Sequence, residues 1–141
     1  MTRDVLIRLS GLQAMEGDEG TVEVITSGDY FWKNNKHYLI YEGTDGTIRN
    51  TMKLTPEKLE IKKSGPVSAN MVFELDKKTQ THYVTPMGEL LVEMTTSRIG
   101  FEEENDHLKV EVEYALDINY DHVSDCRIVL DITSKDCAKL D

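Results

Sequence analysis

Val110-Glu111-Val112-Glu113-Tyr114-Ala115-Leu116-Asp117-Ile118-Asn119-Tyr120 decides the fold class. Every second residue is apolar or aromatic, and the residues between them are mostly acidic or polar. A period of two places alternate side chains on opposite faces of an extended chain, so this stretch predicts a strand with one oily and one wet face. The same pattern recurs on either side. Val5, Ile7 and Leu9 alternate with Leu6, Arg8 and Ser10. Leu90, Val92, Met94 and Thr96 alternate with Glu89, Leu91, Glu93 and Thr95. Ile128, Leu130 and Ile132 alternate with Arg127, Val129 and Asp131. No segment sustains a helical period of 3.6 residues.

Turn chemistry separates the runs. Asn34-Asn35 lies between Tyr30-Phe31-Trp32 and His37-Tyr38-Leu39-Ile40-Tyr41, as in a two-residue hairpin with positive φ. Asp45-Gly46, Thr55-Pro56-Glu57-Lys58, Asp76-Lys77-Lys78, Thr85-Pro86-Met87-Gly88 and Glu104-Asn105-Asp106 mark further turns. Turns every 8–12 residues or so predict about eight to ten antiparallel strands. They fall near 2–12, 20–33, 36–43, 47–55, 58–64, 68–76, 79–85, 88–98, 107–120 and 125–134, with 99–104 as a short extra strand. No connection is long enough for the crossover a sandwich needs. An open meander leaves two edges, so closure into an up-and-down β-barrel is expected. Residues 1–134 form this single domain and a frayed polar tail follows over 135–141.

The chain has 141 residues, of which 39% are apolar, enough for one packed core. With 26 acidic and 16 basic residues its net charge is −10, which argues against nucleic acid or an anionic membrane as partner. No apolar run approaches a membrane span. Met1-Thr2-Arg3-Asp4 leads into a strand pattern and not into a signal-peptide block. Cys126 and Cys137 are then expected as free thiols in a reducing cytoplasm, with a disulfide clipping the tail as the lesser reading.

Chemical motifs are scarce. Asp117, Asn119 and Asp121 are spaced like the start of a calcium loop, but His122 stands where Gly is needed and Ile128 where Glu is needed. His37, His82, His107 and His122 show no metal-ligand spacing, and His82 is opposite in phase to Tyr83. No nucleophile elbow or phosphate loop is present. No catalytic residue, metal or cofactor is assigned.

The better clue is the inward face. Tyr83 and Thr85 share one face, as do Met71 and Phe73, and Tyr114 shares another with Tyr120. If Met94 faces inward, unbroken alternation carries Thr96 and Arg98 inward too. The candidate barrel lining is therefore Met71, Phe73, Tyr83, Thr85, Met94, Arg98 and Tyr114, suited to a small, partly apolar ligand. The alternative is a barrel filled by these side chains that meets a protein partner or forms a homodimer through a strand edge or an aromatic at Phe31-Trp32. An enzyme is a distant third.

Lys62-Lys63-Ser64-Gly65, Met71-Val72-Phe73-Glu74 and Thr81-His82-Tyr83-Val84-Thr85-Pro86-Met87-Gly88 carry a family resemblance. Val5-Leu6-Ile7 with Gly11, and Gly28-Asp29-Tyr30 before a hairpin, fit it as well. Through these stretches the chain resembles the YwiB-like proteins, a bacterial domain family of unknown function. The resemblance implies a closed calycin-like (lipocalin-like) β-barrel and a cytosolic origin. It implies no activity, and fold does not fix function.

Overall fold

The computed structural model describes residues 3–11, 23–42 and 46–135. These form ten strands: β1 (Asp4–Ser10), β2 (Glu23–Lys33), β3 (Lys36–Glu42), β4 (Arg49–Thr55), β5 (Lys58–Ser64), β6 (Ala69–Glu74), β7 (Lys78–Thr85), β8 (Gly88–Glu104), β9 (His107–Ile118) and β10 (Asp121–Ser134). All belong to one antiparallel sheet in the order β6-β5-β4-β3-β2-β1-β10-β9-β8-β7. Chain neighbours pair throughout except at β6 and β7, and β1 pairs with β10 as well as β2. Among the described residues no helix is long and apolar enough to cross a membrane.

Two outer strands, β6 and β7, close the ring by other means. Ser68 and Val84 exchange backbone hydrogen bonds of 2.9 and 2.8 Å in a single bridge. Beside it the strands splay, and threonine hydroxyls take over from the ladder. Asn70 N–H donates to Thr81 Oγ1 at 3.3 Å, and Thr79 Oγ1 donates to the Val72 carbonyl. Both edges are thereby covered, which an all-β chain needs to avoid edge-to-edge association.

Alternation survives folding. Val5, Ile7, Leu9, Val92, Met94, Val110, Val112, Tyr114, Leu116, Ile128, Leu130 and Ile132 are all buried in one core. The hairpin at Asn34-Asn35 has φ of 53° and 60°, the positive pair expected there. Asp45 lies outside the described residues, and Gly46 has φ 76°.

Two strand expectations are corrected. Residues 99–104 are not a separate strand but the end of β8, which runs on through a bulge between Thr96 and Arg98. β9 stops at Ile118, because Asn119 and Tyr120 (φ 51° and 72°) make the next hairpin turn, leaving Tyr120 exposed. The end of β10 is tied down at 134–135. Ser134 N–H donates to the Asp106 carbonyl at 3.0 Å, and Lys135 N–H donates to the Asp4 carbonyl at 3.1 Å. The remaining tail, with Cys137, lies outside the described residues; Cys126 is a free thiol.

Candidate functional site

The bulge in β8 redistributes the expected lining. Ser97 is the extra residue, and its hydroxyl donates to the Glu113 carbonyl at 3.2 Å. The turn between β6 and β7 docks at the same point: Asp76 N–H donates to the Thr96 carbonyl at 2.9 Å, and Thr96 N–H donates to the Lys77 carbonyl at 3.2 Å. One inserted residue reverses the facing of everything beyond it. Thr96 therefore stays inside, and Arg98 turns to the outer surface. There its guanidinium donates to Glu113 at 2.9 Å and lies 3.6 Å from Glu111. Arg127 donates to Glu111 at 2.7 Å from the other side. The Arg127 hydrogen bond, ahead of its charge, holds Glu111 below the usual carboxylate range. The acidic face of β9 is thus cross-strand paired by β8 and β10. The expectation of an inward Arg98 is corrected accordingly.

Thr85 also departs from the lining. It caps the β7–β8 turn, accepting from Met87 N–H at 3.1 Å and donating to the Gly88 carbonyl at 3.0 Å. The other five candidates, Met71, Phe73, Tyr83, Met94 and Tyr114, are buried together in the core. Phe73 and Tyr114 meet edge to face with centroids 4.8 Å apart, spanning from β6 to β9. None of the seven candidates lines either of two open grooves among the described residues, of about 430 and 420 Å³.

Two polar atoms inside the barrel stand out. Thr96 Oγ1 and Tyr114 OH are buried and have no hydrogen-bond partner among the described residues. Thr96, Tyr114 and Cys126 sit opposite one another across β8, β9 and β10. Burial, and secondarily the Cys126 thiol, pushes the Tyr114 phenol far above its ordinary range. It stays a protonated donor at any physiological pH.

Sequence reasoning missed a second interior feature. Lys63 shares the inner face of β5 with Leu59 and Ile61 and is only 5% exposed. Its ammonium donates to Asn50 Oδ1 at 3.2 Å. Asn50, 2% exposed, faces inward from β4. Tyr41, Asn50, Lys63 and Ala69 form one cross-strand row on β3, β4, β5 and β6. All four are buried. The signal was present: Lys63 is in phase with Leu59 and Ile61. A lysine at a strand end normally reads as a solvated side chain.

His37 is the third feature. It is 3% exposed on β3, and its Nδ1 lies 2.6 Å from Tyr30 OH. Burial first, then the Glu103 charge, raises the Tyr30 phenol; the Glu103 carboxylate facing Nε2 can only accept, which leaves Nδ1 as the acceptor of the Tyr30 hydroxyl. Nε2 then carries the proton and faces Glu103 Oε1 at 3.4 Å. Trp32 packs edge-on to the ring at 4.7 Å and Phe101 lies at 5.5 Å. The group ties β3 to the overhanging end of β8. Burial lowers the His37 pKa, outweighing the opposing pull of Glu103. The folded state therefore resists protonation while the unfolded ring accepts a proton near its ordinary value of 6.5. Stability from this group is complete above that value and lost as pH falls below it. His37→Gln is expected to flatten that part of the profile, read as urea midpoints between pH 8 and pH 5. An unchanged slope would remove His37 as its source.

Similarity to known proteins bears on the same barrel. The family described as Domain of unknown function (DUF1934) matches residues 7–130. The uncharacterized β-barrel protein YwiB of Bacillus subtilis is 30% identical over 112 residues, covering 78% of this chain and 75% of that protein. The crystal structure of the ywiB protein from Bacillus subtilis aligns with a TM-score of 0.72 at 22% identity, covering 93% of this chain and 89% of that one. That likeness is one of fold.

Proposed function

This chain belongs to the DUF1934 family of uncharacterised β-barrel proteins, from which no activity can be carried over, and we propose that it binds a small, partly apolar ligand inside the barrel. The observation that carries this reading is the pair of buried hydroxyls on the inner wall, Thr96 Oγ1 and Tyr114 OH, which have no hydrogen-bond partner among the described residues. An unsatisfied buried hydroxyl costs roughly 1–3 kcal/mol. A guest with one polar end relieves that cost, and Met71, Phe73, Tyr83 and Met94 offer its body an apolar, adaptable surround. A free Cys126 fits the reducing cytoplasm included in this reading.

The test uses the full chain, unfolded and refolded to strip any resident molecule, and the neutral fluorophore N-phenyl-1-naphthylamine. One saturable site with blue-shifted emission is expected. No saturable binding to the refolded protein contradicts the proposal.

A filled barrel that contacts a protein partner is the second reading. It draws on the exposed apolar side chains of Met87, Tyr120 and Val123 near the β7–β8 and β9–β10 turns.

A further inference from the structure

We infer that the barrel end formed by the β7–β8 and β9–β10 turns docks a protein segment rich in lysine or arginine that carries apolar anchors. This takes up the contact surface named last above and holds whatever fills the interior. Among the described residues, four large apolar side chains stand exposed there: Val84 and Met87 at the first turn, Tyr120 and Val123 at the second. Singly exposed apolar residues are ordinary, but a cluster at one tip marks a contact site. The turns are neighbours. Leu91 N–H donates to Asn119 Oδ1 at 3.1 Å, and Asn119 N–H donates to the Leu91 carbonyl at 2.8 Å. Strand rise puts Met87 at most roughly 13 Å along the chain from Leu91, a span that one short partner segment covers.

These side chains are costly where they stand. Asn119 and Tyr120 have φ of 51° and 72°, the two positive angles of a hairpin turn that favours Asn-Gly. An aromatic residue in that second place is strained, and at 74% exposure it gains little packing in return. Val123 is the extra residue where the β9–β10 register shifts, between His122 and Ser124. A bulge re-aims a side chain, and this one leaves an apolar group in water. Met87, 95% exposed, adds an adaptable apolar contact.

Charge selects the partner. No lysine or arginine occurs within 79–97 or 110–126, the segments that build this tip. Glu89, Asp117, Asp121 and Asp125 flank the apolar group in the chain. Farther along β9, Glu111 and Glu113 have Arg98 and Arg127 beside them. At the tip, Glu89 meets His82, Asp117 and Asp125 share His122, and Lys78 reaches Asp117 at 3.8 Å. A second copy would bring the same carboxylates and be repelled, as would nucleic acid or an anionic membrane. A basic segment meets complementary charge, which speeds its approach, while Tyr120 and Met87 hold it.

A fluorescein-labelled amphipathic helix of leucine and lysine is titrated with the full chain at pH 7 and followed by fluorescence anisotropy. One saturable site is expected. Met87→Ser and Tyr120→Gly leave the net charge unchanged, and each is expected to weaken the peptide at least about tenfold, the size of a hot-spot loss. Polylysine, which has charge and no apolar anchor, is expected to bind at least about tenfold more weakly than the helix. Gly takes positive φ freely, so Tyr120→Gly is expected to raise the urea midpoint while it loses binding. Absence of saturable binding overturns the docking tip. Binding that neither variant weakens, or that polylysine matches, overturns it too and leaves bulk charge as the cause. A lowered midpoint in Tyr120→Gly overturns it by making Tyr120 a residue kept for stability. A dimer in sedimentation equilibrium that Tyr120→Gly dissociates overturns it in favour of a second copy. The interior ligand is read separately by the naphthylamine reporter, so its failure and the failure of the tip are told apart.

Discussion

Gly11→Ala is expected to destabilise the fold by roughly 3 kcal/mol, the sum of left-handed strain and a backbone collision. Gly11 follows β1 with φ +91°, and a Cβ there would sit 1.8 Å from the Arg127 carbonyl oxygen and 2.8 Å from its carbon. That carbonyl belongs to β10, so it cannot swing aside as a side chain would. β1 is the strand that joins the two runs of the sheet, pairing with both β2 and β10. Gly88→Ala separates the two causes. Gly88 has φ +140° but nothing within 4 Å of a built Cβ, so only strain applies. A loss of about 1 kcal/mol is expected there. Urea unfolding of both variants decides the matter. Equal losses would show that the collision beside Arg127 relaxes freely.

Phe73→Ala is expected to lose about 3–5 kcal/mol, the usual cost of truncating a buried aromatic. Phe73 is fully buried on β6 and its ring meets Tyr114 from β9. It therefore links walls that do not pair by backbone. Tyr120→Ala, a turn residue 74% exposed, is expected to change stability by less than about 0.5 kcal/mol. Chemical denaturation of the two variants measures both. A small loss at Phe73 would mean that the interior already repacks around empty space.

Most of the fold was legible because a two-residue period is insensitive to tertiary context. Val110 to Leu116 needed only counting, and Asn34-Asn35 announced its own turn. What escaped was local and discrete. The Ser97 bulge changes nothing in composition, yet it sends Arg98 outward and leaves Ile99 and Phe101 partly buried against the core. Its cause is non-local: the β6–β7 turn claims both backbone groups of Thr96. Asn119-Tyr120 escaped because an aromatic at positive φ is disfavoured and rarely marks a turn.

The candidate site was legible in part for the same reason. Met71, Phe73, Tyr83, Met94 and Tyr114 follow from phase alone, and all five are buried together. Thr85 kept its phase but lies at a turn, where its hydroxyl serves the backbone. Arg98, a candidate for the lining with solvent as its other destination, reaches the outer surface, and the buried cation is Lys63. Both residues sit near strand ends, and phase alone does not tell a buried ammonium from one that reaches past the rim. His37 was hidden in part: the Asn34-Asn35 hairpin puts Tyr30 on its face, but Glu103 comes from β8, and no spacing in the chain relates it to the pair.

Occupancy of the barrel interior is tested most directly by native mass spectrometry of the full chain, purified from cells without denaturant. The expected spectrum shows a discrete added mass that disappears on denaturation. A bare mass that stays bare after incubation with the small-molecule fraction of a cell extract contradicts a ligand-binding barrel. That result would leave Thr96 and Tyr114 as hydroxyls of a filled core and direct attention to Met87, Tyr120 and Val123 as a contact surface.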